Sequence, residues 1–180
     1  MADKMTDEQR HRCMSSVRSK GTKPEMKVRT ALHRRGFRFR TNVKKLPGTP
    51  DIVLAKYRTV IFINGCFWHG HGRCQEFRMP KSNIKFWEEK IHNNQKRDAA
   101  NNAQLEEMQW NVITVWECEL RSKVFESTIE HLVSELYANM FEWEKLTTER
   151  KNHRKLYHAD KKSKKEIANH HKEEIHDTRE

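Results

Sequence analysis

The chain has 180 residues, of which 35% are hydrophobic and 34% charged, and a formal net charge of +11. That suits one domain with a modest core under a heavily charged surface. No apolar run approaches the ~18 residues of a membrane helix, and Met1–Glu8 lacks a signal-peptide core, which argues against a membrane-spanning or exported protein and predicts a cytoplasmic one. In that compartment the four cysteines read as thiols or metal ligands rather than disulfides.

The charge is polarised. Residues 1–45 carry fourteen Lys/Arg against four Asp/Glu, a net of +10, whereas the remainder is nearly neutral. A basic segment of this kind suits phosphate binding with release of counterions; the plainer alternative is a solvated, solubilising tail. Residues 1–20 show no strong period and read as a basic arm or a short helix. Thr22-Lys23-Pro24-Glu25 is a capping-box pattern with Pro in the first turn. It predicts a helix with Val28, Ala31 and Leu32 facing inward, ending at Gly36. Phe37 and Phe39 alternate with Arg38 and Arg40, which reads as a strand. A turn at 46–50 leads into two strands, Asp51–Ala55 and Thr59–Ile63, forming a hairpin whose second strand is buried.

Ser82 is a candidate cap for a long helix over about 84–108, with Ile84, Trp87, Ile91, Asp98 and Leu105 inward. Asn111–Cys118 reads as a strand directly after that helix, so the pair makes a crossover that favours a parallel partner. A last amphipathic helix is expected over 122–145, with Val124, Ile129, Leu132, Val133, Leu136 and Phe141 inward. Beyond Arg150 the chain is rich in Lys, His and Glu and reads as a disordered or loosely helical tail. The order α-β-β-β-α-β-α predicts an α/β fold, a three-layer mixed sheet flanked by helices.

The segment Phe62–Cys74 concentrates the chemistry. Cys66, His69 or His71, and Cys74 share one loop at spacings that suit zinc, and Cys118 at the end of the last strand is the best fourth ligand of a tetrahedral site. The alternative is buried free thiols and surface histidines. Three carboxylates stand out: Glu25 on the first helix, Asp51 at the head of a strand and Asp98 on the long helix. Phosphodiester hydrolysis wants Mg²⁺ held by carboxylate oxygens and a base to activate water; His69, if it is not a zinc ligand, suits the latter role. Taken singly, Asp51 is also an ordinary strand-edge carboxylate and Asp98 a helix-surface ion-pair partner. Phe67 and Trp68 fit either the core of a zinc knuckle or wedges that insert between bases. Met14 in the basic arm is a further wedge candidate.

The run Leu46-Pro47-Gly48-Thr49-Pro50-Asp51-Ile52-Val53, then Val60-Ile61-Phe62, Gly65-Cys66-Phe67-Trp68-His69-Gly70-His71 and Val115-Trp116-Glu117-Cys118 resembles the very-short-patch-repair (Vsr) DNA mismatch endonucleases. The resemblance covers about residues 5–145. It implies a restriction-endonuclease-like core with a structural zinc site. It implies a Mg²⁺-dependent nick just 5′ of the thymine in a T·G mismatch left by deamination of 5-methylcytosine. By the same resemblance Asp51 and the Ile63 carbonyl hold Mg²⁺, His69 is the general base, and Glu25 and Asp98 act around the metal. Cys66, His71, Cys74 and Cys118 hold Zn²⁺, while Met14, Phe67 and Trp68 wedge into the duplex. Family members often carry His where this chain has Asn64; Asn hydrogen-bonds a phosphate but carries no proton or charge.

Composition and resemblance together divide the chain into a basic arm (1–20), an endonuclease domain with its zinc loop (21–148) and a basic, His-rich, disordered tail (149–180) that has no counterpart in the family. It implies a bacterial, nucleoid-associated monomer whose partner is mismatched double-stranded DNA, with mismatch-repair proteins as further candidates. Two other readings use the same residues: a mismatch-independent restriction-type endonuclease, and a non-catalytic zinc-containing DNA-binding module.

Overall fold

The computed structural model describes residues 6, 8, 9, 12, 15, 20–72 and 74–177. Met14 lies outside the described residues. Two compact units are distinguished, Met1–Asn139 and Met140–Glu180; the sheet and the site lie in the first.

Helix α1 spans Lys23–Arg34 and begins as its sequence dictates. The Thr22 hydroxyl accepts from the Glu25 N–H, and the Glu25 carboxylate accepts from the Thr22 N–H, closing the capping box. Val28, Ala31 and Leu32 are buried as expected. The helix ends in a Schellman arrangement: Gly36 adopts φ +86°, its N–H donates to the His33 carbonyl, and the Phe37 N–H donates to the Leu32 carbonyl.

That ending corrects the strand expected at Phe37–Arg40. Phe37 is buried against Tyr57 and Tyr137, with ring centroids 5.1 and 5.8 Å away. It supplies the apolar contact that accompanies this kind of helix end, and only Arg40 makes a β-bridge, to Val53.

The sheet has three strands in the order β1-β2-β3: β1 Ile52–Leu54, β2 Thr59–Asn64 and β3 Asn111–Trp116. A short turn of 3₁₀ helix at Ala55–Tyr57 joins the first two, which pair antiparallel with Val53 opposite Val60. β3 pairs parallel to β2, with Ile61 opposite Ile113, as the crossover through the long helix predicts.

Residues of β2 alternate between two buried faces. Val60 and Val53 pack with Leu105 of α2 (Ile84–Glu107). Thr59, on the opposite face, accepts a hydrogen bond from Asn139 of α3 (Phe125–Asp177). Helices therefore cover both faces, giving a three-layer α/β arrangement around a mixed sheet.

Three expectations about the helices need correction. α2 is preceded by Asn83 in a left-handed conformation that makes no side-chain cap, rather than by a Ser82 cap, and Ile84 is exposed. In α3, Ile129, Leu132 and Leu136 are buried but Phe141 is exposed, and Val124, expected on the same face, precedes the helix and is exposed too. α3 also does not stop near 145; it runs to Asp177 through the segment read as a tail. The chain has no Gly or Pro after Pro80, so nothing in the tail terminates a helix rich in Lys and Glu. Among the described residues no helix is long and apolar enough to cross a membrane.

Candidate active site and metal centre

β2 delivers the site. Its C-terminal end opens into a cleft of about 900 Å³ whose walls include Glu25, Asp51, Ile63, Asn64, Trp68, His69 and Asp98. Asp51 stands just before β1, and its Oδ2 accepts a hydrogen bond from the Ile63 N–H at 2.8 Å. In an extended strand the N–H and C=O of one residue point to the same side, so the Ile63 carbonyl also faces the Asp51 edge. Burial is the largest influence on Asp51 and pushes its carboxyl from 3.8 up to about 6; the Ile63 N–H opposes the rise, Glu25 adds to it, and Arg29 and His69 oppose it. A carboxylate desolvated in this way, beside a main-chain carbonyl, offers hard oxygen ligands to a cation.

His69 sits in the turn after β2, and its Nδ1 is 2.5 Å from Asp98 Oδ2 on α2. Arg97 bonds the other oxygen of the same carboxylate at 3.2 Å. The carboxylate accepts from Nδ1–H, leaving Nε2 as the basic nitrogen. α2 also grips this turn through its backbone. Asn94 donates to the Trp68 carbonyl at 2.8 Å, and Gln95 donates to the Gly70 carbonyl at 3.2 Å. Gly70 adopts φ +60°, and a Cβ there would meet Gln95 Nε2 at 2.5 Å and Ile91 Cγ2 at 2.7 Å.

Glu25 is buried, and its two oxygens accept four donors. Oε1 takes the Thr22 N–H and hydroxyl, and Oε2 takes the Gly21 N–H and Arg29 Nη2. Asn64 closes β2 opposite Trp116 and lines the cleft.

Cys66, His71, Cys74 and Cys118 form the second centre, with ligand atoms all within 4.8 Å of one another. His71 Nδ1 is 3.5 Å from the sulfurs of both Cys66 and Cys118. The parallel pairing makes this possible, because β2 ends two residues before Cys66 and β3 ends two before Cys118. The His71 ring stacks on Trp116 at 4.0 Å, which fixes its orientation. Burial and the neighbouring thiols push Cys118 up to about 12, and burial raises Cys66 as well. Cys66 and Cys118 thus resist becoming thiolates unless a cation joins them, whereas Cys74, against its own desolvation, is lowered by hydrogen bonds from the Glu76 N–H and the neighbouring thiols, so the set could hold a metal ion.

Phe67 and Trp68 lie between the two centres, both half-buried. Each packs on Trp87 of α2, at 5.2 and 6.1 Å between ring centroids. Phe86 extends the group and is 59% exposed. The sequence alone places Trp87 only on an inward helix face. The signal for its place here is the adjacent Phe86-Trp87 pair at the start of α2. Arg29 was also missed, although its i,i+4 spacing from Glu25 marks the pair.

A family described as DNA mismatch endonuclease Vsr matches residues 2–76. The type II nicking enzyme V.NmeAIP of Neisseria meningitidis is 48% identical over 137 residues, covering 76% of this chain and 97% of its own length. The type II nicking enzyme V.XorIIP of Xanthomonas oryzae is 49% identical over 120 residues, covering 67% of this chain and 88% of its own length. The DNA mismatch endonuclease Vsr of Escherichia coli K12 is 40% identical over 123 residues, covering 68% of this chain and 78% of its own length. With similarity of that extent, and with Asp51, Trp68 and His69 of the motifs lining one cleft, the chain belongs to the Vsr family of DNA mismatch endonucleases and is a DNA endonuclease.

Proposed function

We propose that this protein nicks one strand of duplex DNA just 5′ of the thymine of a T·G mismatch, with Mg²⁺, to start very-short-patch repair of deaminated 5-methylcytosine. The observation that carries the reading is the shared cleft, in which the half-buried Asp51 carboxylate and the His69–Asp98 pair both face the space a phosphate would enter.

Asp51 keeps one oxygen on the Ile63 N–H and has the other for the cation, with the Ile63 carbonyl beside it. A Mg²⁺ ion bound there would supply charge stabilisation to the phosphate oxygens. Asp98 holds Nδ1–H of His69 and favours the charged ring that forms when Nε2 takes a proton from the attacking water. Asn64, which lines the cleft, is read as a donor to a phosphate oxygen. Around this chemistry the sheet and its flanking helices are read as a restriction-endonuclease-like core.

The second centre is read as structural zinc. A tetrahedral ion about 2.3 Å from sulfur and about 2.0–2.1 Å from nitrogen separates those atoms by about 3.5–3.6 Å, which agrees with the 3.5 Å from His71 to each of two cysteines. Such an ion would tie the turn that carries His69 and His71 to the end of β3 and so steady Phe67 and Trp68, of which Trp68 lines the cleft. These two, with Trp87 beside them and Met14 in the basic arm, are read as the wedge that opens the mismatched step.

The test is a nicking assay with Mg²⁺ on paired duplexes that differ only in one T·G or C·G pair, set in cytosine-methyltransferase sites. The expected result is a nick 5′ of the mismatched T, absent on C·G DNA and absent with Asp51→Ala. Equal cutting of both duplexes would replace this reading with a mismatch-independent endonuclease, and binding without cutting would replace it with a non-catalytic module.

A further inference from the structure

Glu25 and Asp51 face one cleft, yet nothing in the chemistry above uses the side chain that joins them. Arg29 Nη2 donates to Glu25 Oε2 at 2.8 Å and to the Asp51 main-chain carbonyl at 3.0 Å. Its side chain is only 13% exposed. Its Nε is buried and has no hydrogen-bond partner among the described residues. A buried N–H left unpaired costs about 1–3 kcal/mol, and a buried ion pair is often no better for stability than apolar side chains of similar volume. Stability alone therefore explains this arginine poorly, whereas its two anchors join α1 to the residue that carries the reactive carboxylate.

Glu25 points the same way. A carboxylate offers about four lone-pair sites, and here two donors occupy each oxygen. Reaching a cation directly or through water would cost Glu25 one of those bonds.

We propose that Arg29 is a positioning residue, a strut from α1 that fixes the backbone at Asp51, and that Glu25 serves the reaction by holding Arg29 rather than by acting on the metal. This rests on the reading of Asp51 as the cation-holding carboxylate. Positioning matters at this level because a displacement of about 1 Å at a reacting group costs on the order of a hundredfold in rate.

The test compares Glu25→Gln, Arg29→Met and the double variant with wild type on a T·G duplex. It measures kcat, duplex KM, the Mg²⁺ concentration for half-maximal rate and the thermal midpoint. Gln is compatible with the capping box, and the double variant leaves no buried charge unpaired, so at least these two should fold. The strut predicts that each folded variant loses about 10–100-fold in kcat, with KM and the Mg²⁺ requirement within about twofold of wild type. It also predicts that the double variant is no slower than the slower single. A Glu25→Gln enzyme with a raised Mg²⁺ requirement, losses that multiply in the double variant, or a double variant with wild-type kcat would each overturn it. A wild-type enzyme that fails to nick the T·G duplex would instead defeat the proposed function.

Discussion

Asp51 is held in a state that the bare protein resists. Burial leads the influences that lift its carboxyl from 3.8 to about 6. At about 1.4 kcal/mol per pH unit, that gap corresponds to about 3 kcal/mol of strain in the ionised native protein. The sign follows from linkage: a carboxyl raised in the folded state contributes stability that is present below about pH 4 and lost as pH rises through about 6. Asp51→Asn has no charge to desolvate and keeps an oxygen to accept the Ile63 N–H. In Mg²⁺-free buffer the variant should therefore be about 3 kcal/mol more stable than wild type at about pH 8, and about equal near pH 4. Urea unfolding at several pH values measures the difference directly, and the comparison cancels every other titrating group. Equal stability at pH 8, or an advantage that grows toward acid, would refute the argument. Added Mg²⁺ should narrow the gap by stabilising wild type alone.

Asp98→Asn should lower kcat by about a hundredfold or more with little effect on duplex binding, because the amide no longer favours the charged His69 ring; stopped assays beside a binding titration check it. Cys118→Ser should cost the second centre its metal and lower the thermal midpoint sharply, and elemental analysis should find about one zinc per wild-type chain and less in the variant. Gly70→Ala places a Cβ against Gln95 and Ile91 at a positive φ, so it should destabilise by about 1–3 kcal/mol in denaturant unfolding. If the variant matches wild type, the turn is looser than its hydrogen bonds imply.

Much of the architecture is legible because its codes are local. Thr22 and Glu25 are three residues apart and bond each other whatever the rest of the chain does. The apolar runs of β1 and β2 and the short link between them dictate a hairpin, and a helix between β2 and β3 dictates a parallel crossover. The grouping of Cys66 and Cys74 with one of His69 and His71 is legible for the same reason, the structure brings His71 to them, and Cys118 joins because parallel pairing brings like strand ends together. Phe37–Arg40 misleads because alternation over four residues is also what a Schellman ending produces when the residue after its glycine is buried. The extent of α3 is hidden because a segment this poor in apolar residues reads as disorder, although no Gly or Pro within it stops a helix.

What the sequence by itself determined is therefore most of the elements, the pairing of the three strands and the residue types available for chemistry, since each depends on spacings of a few residues or on chain connectivity. Tertiary structure alone decided which of those groups touch. Asp98 reaches His69 across 29 residues of sequence and Arg29 reaches Asp51 across 22. Both contacts exist only once α1 and α2 have docked against the sheet. Docking angles are set by packing of the whole core, by Leu32, Ile52, Ile61 and Leu105 among others, and no local pattern encodes them.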